Sequence, residues 1–481
     1  MRYLSEVATF IACMGGFLFG YDIGVISGVL VMPTFATTFG INAAQAADLK
    51  GNVVSFLQIG CCFGALLINF VADHYGRKAA IFGSSIVSIF GGILQTVSVG
   101  KLSVLIIGRF FAGVGIGANS MLVPMYIAEI APRKLRGRLG TLWQFLIVLG
   151  ICVSYWVDYL CLKVLPPSDL QWQLALGLQI VPGVVLAIGI IFMPESLRWL
   201  AAHDRHEEAR CTLSKLRGLY ESDHSVTAEM EAIQDAIDCE RETSTGKLTE
   251  IFQVVNFKRL WTGSNAINYY APVIFQSIGI TSAEIDVLAT GVYGTVKVAF
   301  VFASFFMIDT KLGRRRTLMI GSAFMCTAFY ILGTMTKLNS DNNGGSVGGS
   351  VGSLGYVAIF SVYLFAIGYE FSWGPIVWIV CSEIYPTRIR AICLSITTAF
   401  NWGNNAIIGK VTPIMLVNIG WGTYFLFGSF AVVMGLFVFF FLPETRGRSL
   451  EEMEEIFQGG IFVHNKIYTE PKKDYFEEYK E

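Results

Sequence analysis

Apolar runs of about 20 residues, the length that crosses the ~30 Å hydrocarbon layer of a bilayer, recur from one end of this chain to the other. Water could not hold such a molecule open. Charged residues make up 15% of the chain and apolar residues 54%, whereas a soluble domain carries about 25% charge. The chain is therefore predicted to be an all-α membrane protein whose first partner is the lipid bilayer. Windowed hydropathy, the usual guide to spans, places them at 7–30, 51–71, 79–99, 103–124, 139–161, 172–193, 261–279, 287–308, 316–337, 354–383, 391–417 and 421–442.

Basic residues mark alternate connections: Arg77 with Lys78; Arg133, Lys134, Arg136 and Arg138; the stretch 198–259; Lys311 with Arg314, Arg315 and Arg316; Arg388 with Arg390; Arg446 with Arg448. The intervening connections hold scattered lysines such as Lys50, Lys101, Lys163 and Lys337. Cytoplasmic loops carry the excess of Lys and Arg, so both termini and the central stretch are expected in the cytoplasm. The first apolar run contains Asp22 and lacks a small-residue cleavage site, which reads as a retained span rather than a secretory leader. The cysteines, among them Cys61, Cys62, Cys152 and Cys393, are spread through apolar runs without ligand spacing and read as small core residues. No metal, cofactor or nucleic-acid partner is expected, and no nucleophile–base constellation points to an enzyme.

The chain repeats itself. Glu129-Ile130-Ala131-Pro132 precedes Arg136 as Glu383-Ile384-Tyr385-Pro386 precedes Arg390, and Pro194-Glu195-Ser196 is echoed by Pro443-Glu444-Thr445. Asp73, Gly76, Arg77 and Lys78 have counterparts in Asp309, Gly313, Arg314 and Arg315. Parallel repeats of this kind build two-bundle transporters that hold substrate between the halves near the membrane midplane. The expected units are a six-helix bundle over 1–197, amphipathic helices over 198–259, a second six-helix bundle over 260–445 and a tail over 446–481. Helical periodicity in the central unit (Ala209, Leu213 and Leu216, then Met230, Ile233 and Ile237) supports its assignment. His203 to Glu207 has a metal-like composition but reads as an ordinary solvated helix start.

Several residues carry chemistry. Asp22 follows the glycine-dense run Gly15 to Tyr21 inside the first span; an intramembrane carboxylate is costly unless paired, and its natural partner is Arg109 in the fourth. An Asp that gains and loses an Arg makes a proton gate; the plainer alternative is an inert carboxylate at the water-facing rim. Arg77, Glu129, Arg136 and Glu195, matched by Arg314, Glu383, Arg390 and Glu444, stand where helices leave the membrane. They read as gate ion pairs, or else as charges that only set topology. Gln144, Asn265, Asn268, Tyr269, Glu370, Trp378, Asn401 and Trp402 combine amide groups with flat aromatic faces. A hydroxylated ring needs both, since each buried hydroxyl requires a partner and the C–H face stacks on indole; each alone could equally glue helices. Lys297 in the eighth span is read as snorkelling or water-facing. Gly113-Val114-Gly115-Ile116-Gly117 mimics a dinucleotide loop, but no strand precedes it, and close helix packing is the expected use.

These motifs resemble the sugar porter family of the major facilitator superfamily, and most closely its fungal hexose transporters. The resemblance runs from Gly15 to Glu452. It is carried by Gly20-Tyr21-Asp22, Asp73 to Lys78, Arg109 with its glycines, Pro124-Met125-Tyr126, Pro194-Glu195-Ser196 with Arg198, Ser372-Trp373-Gly374-Pro375 with Trp378, Asn401-Trp402 and Pro443-Glu444-Thr445. It implies a major facilitator fold and alternating access of a monosaccharide between the halves, with Gln144, Asn265, Trp378, Asn401 and Trp402 touching the sugar. It also implies a proton as second cargo through Asp22 and Arg109; a plasma membrane is the expected setting, with a vacuolar one left open. Facilitative family members can carry the same Asp, so uniport stays open, as does a non-transporting sensor.

Three departures stand out. Asp309 lies one residue farther from Gly313 than Asp73 does from Gly76, and Ala391 stands where the family usually has Gly. In the seventh span, Lys258-Arg259-Leu260-Trp261 runs directly into Thr262-Gly263-Ser264-Asn265, and the family's glutamine pair is missing. The deficit is about eleven residues, or about 16 Å of helix. A span so shortened predicts an Asn265 displaced toward the cytoplasmic charges or basic residues dragged into lipid. A transport-impaired paralogue, or an exon missing from the gene as read, would each explain it.

Overall fold

A computed structural model describes residues 4–41, 46–132, 135–243, 283–307, 313–342, 353–385 and 387–445. Those residues are helical almost throughout: α1 (Leu4–Val29), α2 (Pro33–Thr38), α3 (Ala46–Tyr75), α4 (Arg77–Thr96), α5 (Leu102–Ile130), α6 (Arg136–Val164), α7 (Leu170–Gly177) and α8 (Ile180–Ile191) come first. Short helices α9 (Leu197–Ala202), α10 (His206–Arg217) and α11 (His224–Thr243) follow. The second part comprises α12 (Ala283–Met307), α13 (Arg314–Asn342), α14 (Ser353–Gly368), a π-turn (Tyr369–Trp373), α15 (Gly374–Glu383), α16 (Thr387–Asn418) and α17 (Gly422–Phe441). Among the described residues, nine helical stretches are long and apolar enough to cross a membrane. The expected seventh span, 261–279, with Asn265, Asn268 and Tyr269, lies outside the described residues, as do the loop 343–352 and the tail after Thr445.

Large apolar residues line the outside of the protein as well as its core. Phe70, Phe192, Phe360, Phe400 and Val433 are all exposed, and in a bilayer these face acyl chains. The buried seams instead collect small and polar residues. Ser84, Ser88 and Asn119 are buried where α4 and α5 meet. Gly113 and Gly117 press their Cα atoms against the backbone of Leu57 and Cys61 on α3, and Gly115 presses against Ser84 and Ser88 on α4. A methyl group at any of the three would collide with backbone, so the glycines of this run are spent on helix approach.

Helices α1 to α8 pack as one bundle and α12 to α17 as another, joined along two seams, α3 with α16 and α6 with α12. Hydrogen bonds bridge the first seam at both ends. Ser395 donates to the Ala65 carbonyl at 2.5 Å near the arginine-rich end, and Lys410 donates to Asn52 at 2.9 Å near the other. Helices α9, α10 and α11 bury Trp199, Leu200, Ala201, Ala209 and Ile237 against one another. Arg217 ties α10 to the end of α5 by donating to the Ile130 carbonyl at 3.1 Å.

The tenth span was expected as one helix over 354–383 and is interrupted. Pro375 follows the π-turn; a proline ring excludes the preceding carbonyl and offers no N–H, and helices often accommodate this by a wide turn. Ser372 steadies the turn by donating to the Gly368 carbonyl at 2.6 Å. Glu370 sits within it.

Candidate functional site

Asp22 and Arg109 meet inside the first bundle. An Arg109 Nη1 lies 2.5 Å from Asp22 Oδ1, and both side chains are 1% exposed. The same nitrogen donates to the Asp22 carbonyl, and Nε donates to the Val53 carbonyl, each at 3.3 Å. The guanidinium is thus clamped among α1, α3 and α5, while Asp22 Oδ2 accepts no hydrogen bond among the described residues. A carboxylate oxygen accepts a proton, and a protonated carboxyl is a weaker partner for a guanidinium than a carboxylate.

The region between the bundles is built from three sources. Helix α6 supplies Gln144, whose Nε2 donates to Glu370 Oε2 at 3.0 Å. Glu370 Oε1 lies 2.9 Å from Lys297 Nζ on α12, with exposures of 0% and 1%. Lys297 also stands 5.6 Å from the ring centre of Tyr293. The expectation that Lys297 snorkels toward water is therefore corrected: a carboxylate within reach compensates its charge where it lies, so the long stem has no need to seek the interface.

Beside this triad lies an aromatic group. The Phe19 ring centre is 4.9 Å from Trp402 and 6.4 Å from Trp378, and Trp378 stands edge-on to Trp143 at 6.2 Å. Trp402 donates its indole N–H across the bundle boundary to Ser120 at 3.0 Å. Asn401 Oδ1, Asn405 Oδ1 and both polar atoms of Gln58 are buried with no partner among the described residues. Buried amides are normally satisfied, so these fit a polar ligand or water. The structure thus gathers Gln144, Glu370, Trp378, Asn401 and Trp402 along the bundle boundary, while Asn265 and Tyr269 lie outside the described residues.

The residues at the arginine-rich end form two matching clusters. Arg77 Nε lies 3.2 Å from Glu129, which also accepts a close hydrogen bond from Ser196 Oγ. Glu195 takes the backbone N–H groups of Arg77 at 3.0 Å, Lys78 at 3.2 Å and Ser196 at 2.8 Å. In the second copy Glu444 takes the N–H groups of Arg314 at 2.9 Å and Arg315 at 3.1 Å. Each glutamate therefore caps the N-terminus of the helix that follows its glycine, where unpaired amides favour an anion. Gly76 (φ 92°) and Gly313 (φ 77°) take the left-handed conformation needed to present those amides. Burial pushes the Glu195 carboxyl above the ordinary carboxylate range, and the amides of Ser196, Lys78 and Arg77 pull it back down. The side chains of Arg136, Glu383 and Arg390 lie outside the described residues.

Sequence reasoning leaves out Phe19 and Asp158 and gives Lys297 no partner. Phe19 sits in the quoted Gly15 to Asp22 motif, whose aromatic content was the available signal. Lys297 was noticed without its partner, because nothing in the order of residues shows that a π-turn aims Glu370 at it. Asp158 on α6 is fully buried against Gly28 of α1; as a carboxylate in an apolar run it carried the same signal as Asp22.

The profile of the family described as "Sugar (and other) transporter" matches residues 8–457. A probable quinate permease of Neosartorya fischeri is 33% identical, over 95% of this chain and 87% of its own length. The MFS glucose transporter mfs1 of Aspergillus flavus is also 33% identical, over 97% of this chain and 92% of its own. Among solved structures, the proton:xylose symporter XylE bound to 6-bromo-6-deoxy-D-glucose superposes with a TM-score of 0.82 at 28% identity, covering 94% of this chain and 99% of that one. The inward-open conformation of XylE from E. coli gives 0.69. The fold is all-α and of the major facilitator type.

Proposed function

The chain belongs to the sugar (and other) transporter family, and from that membership we propose that it carries a monosaccharide, a hexose first, across a membrane by alternating access together with a proton. The observation that carries the proposal is the polar and aromatic boundary between the bundles, where Gln144 and Glu370 join α6 to the π-turn beside Trp378 and Trp402. Amides supply both donors and acceptors for ring hydroxyls, and indoles supply a face for ring C–H groups. Gln144, Glu370, Trp378, Asn401 and Trp402 are the sugar contacts in this reading, joined by Asn265 and Tyr269 of the seventh span.

Asp22 and Arg109 serve as the proton-coupling pair. A proton arriving on Asp22 loosens its hold on Arg109, and the close pairing of the two side chains supports this reading. Arg77, Glu129, Arg136 and Glu195, with Arg314, Glu383, Arg390 and Glu444, act as gate residues at the cytoplasmic ends. The units are the bundles 1–197 and 260–445, the helical linker 198–259 and the tail 446–481, with both termini in the cytoplasm of a plasma membrane. Support for a hexose comes from the Aspergillus flavus glucose transporter and for a proton from the xylose symporter.

In cells lacking endogenous sugar carriers, adding hexose to the wild-type protein is expected to alkalinise the medium as hexose enters. Hexose entry without proton movement would reduce the reading to facilitation. No entry at all would overturn it.

A further inference from the structure

Buried amides are nearly always hydrogen-bonded, and Gln58 on α3 departs from that rule at both of its polar atoms. Its side chain is wholly buried, and neither Nε2 nor Oε1 has a partner among the described residues. An orphaned donor and an orphaned acceptor each lower stability, and a leucine would fill the place without that cost. The place itself is informative. Gln58 lies on the α3–α16 seam, between the Lys410–Asn52 hydrogen bond at one end and the Ser395–Ala65 hydrogen bond at the other. Its head reaches the opposite bundle: a β-carbon built on Gly409 of α16 would stand 2.8 Å from Gln58 Oε1. The missing side chain of Gly409 is what leaves room for the amide. One turn earlier on the same face of α16, Asn405 Oδ1 is likewise buried without a partner among the described residues.

The amide therefore belongs to one bundle and rests against the other. Alternating access parts the bundles along this seam, and the Gln58 head then leaves Gly409 and faces the opening with its N–H and C=O groups both unused. Such a head offers one donor and one acceptor side by side. That is the complement of two neighbouring ring hydroxyls, one accepting and one donating.

We propose that Gln58 is a substrate contact and a determinant of specificity, engaging two adjacent ring hydroxyls of a sugar as the bundles move around it. This rests on the reading of the bundle boundary as the substrate site, and it adds α3 to the helices that build that site.

The test is competition against labelled glucose uptake in carrier-null cells, with glucose and its series of monodeoxy derivatives as competitors. The wild type is compared with Gln58→Leu, which removes both polar atoms at similar volume. In the wild type, deleting either hydroxyl held by Gln58 is expected to weaken competition about fivefold, the scale of one hydrogen bond. In Gln58→Leu the KM for glucose is expected to rise about twentyfold, the scale of two. The penalties at those two neighbouring positions are expected to fall to about one, while the penalties elsewhere on the ring persist. A melting curve without sugar separates contact from scaffold. Gln58→Leu is expected to melt at or above the wild-type temperature, because no described hydrogen bond is lost.

Penalties unchanged at every ring position in surface-expressed Gln58→Leu would overturn the contact. A lowered melting temperature with an unchanged KM would also overturn it, since the amide would then serve the fold through a bound water. Gln58→Met, unbranched like glutamine, stands in if the leucine variant fails to reach the surface. Failure of both assigns Gln58 to the fold and ends the proposal. Absence of hexose uptake by the wild type overturns the underlying reading of the boundary, whereas uptake with an unmoved deoxy profile overturns the contact alone.

Discussion

The Asp22–Arg109 and Lys297–Glu370 pairs are equally shielded, yet they join different things. The first lies wholly within one bundle, between α1 and α5, and the guanidinium is further clamped to the Val53 carbonyl of α3. The second belongs to the later bundle and reaches across to the earlier one through Gln144 on α6. A pair inside a bundle can persist while bundles pivot, so its natural trigger is local, a proton. A pair tethered across the boundary must change whenever the bundles part, so its natural trigger is whatever sits between them. Similar chemistry is thus placed once within a bundle and once across the boundary between bundles.

The sharpest way to break this contrast is to remove one cation from each pair. Arg109→Gln strands Asp22, which has no other side-chain donor among the described residues, and is expected to cost about 3–5 kcal/mol, read as a lowered melting temperature in detergent. Lys297→Gln leaves Glu370 with the Gln144 amide and is expected to cost less, about 2–3 kcal/mol. Equal losses would mean that the second mooring contributes nothing.

The matched helix caps offer a gentler comparison. Gly76→Ala and Gly313→Ala each force a β-carbon into the left-handed region and against the carboxylate of Glu195 or Glu444. Each is expected to cost about 1–2 kcal/mol, and nearly the same amount. A large difference in melting temperature between them would show that the two copies are not equivalent. Asn401→Ala should leave stability almost unchanged, because its carbonyl oxygen has no partner among the described residues. It is expected to raise the KM for sugar by about fivefold, a hydrogen bond's worth of about 1 kcal/mol.

The smallest effect concerns Glu195. Its folded carboxyl titrates above the unfolded reference of 4.5, so the folded state holds the proton more tightly. Stability from this group therefore rises as pH falls from its folded value toward 4.5 and levels off below. Glu195→Gln should flatten that rise in a series of melting curves.

Much of the architecture was legible because a bilayer leaves so few ways to fold. Apolar runs of spanning length can only be helices there, and α1, α3, α4, α5 and α6 lie where hydropathy placed them. The pairing of Asp22 with Arg109 was also legible, since two opposite charges isolated in neighbouring apolar runs have little choice but each other. Less visible were features set by local backbone. The Pro-Glu-Ser and Pro-Glu-Thr repeats advertised conserved charge within the chain, and side-chain ion pairs were the natural expectation. Glu195 and Glu444 accept backbone amides, which no side-chain pattern displays. The π-turn before Pro375 likewise sets which way Glu370 points, and so the expectation for Lys297 failed. The shortened seventh span remains a feature of the sequence, with Lys258, Arg259 and Asn265 outside the described residues.

The central claim, that solute moves between the bundles and a proton on Asp22 drives its accumulation, is tested most directly in proteoliposomes. Labelled hexose uptake is followed with and without an inwardly directed proton gradient, for the wild type and for Asp22→Asn. The wild type is expected to concentrate hexose above the external level only when the gradient is present, and Asp22→Asn to stop at equilibrium. Asp22→Asn vesicles that concentrate hexose as the wild type does would contradict the account.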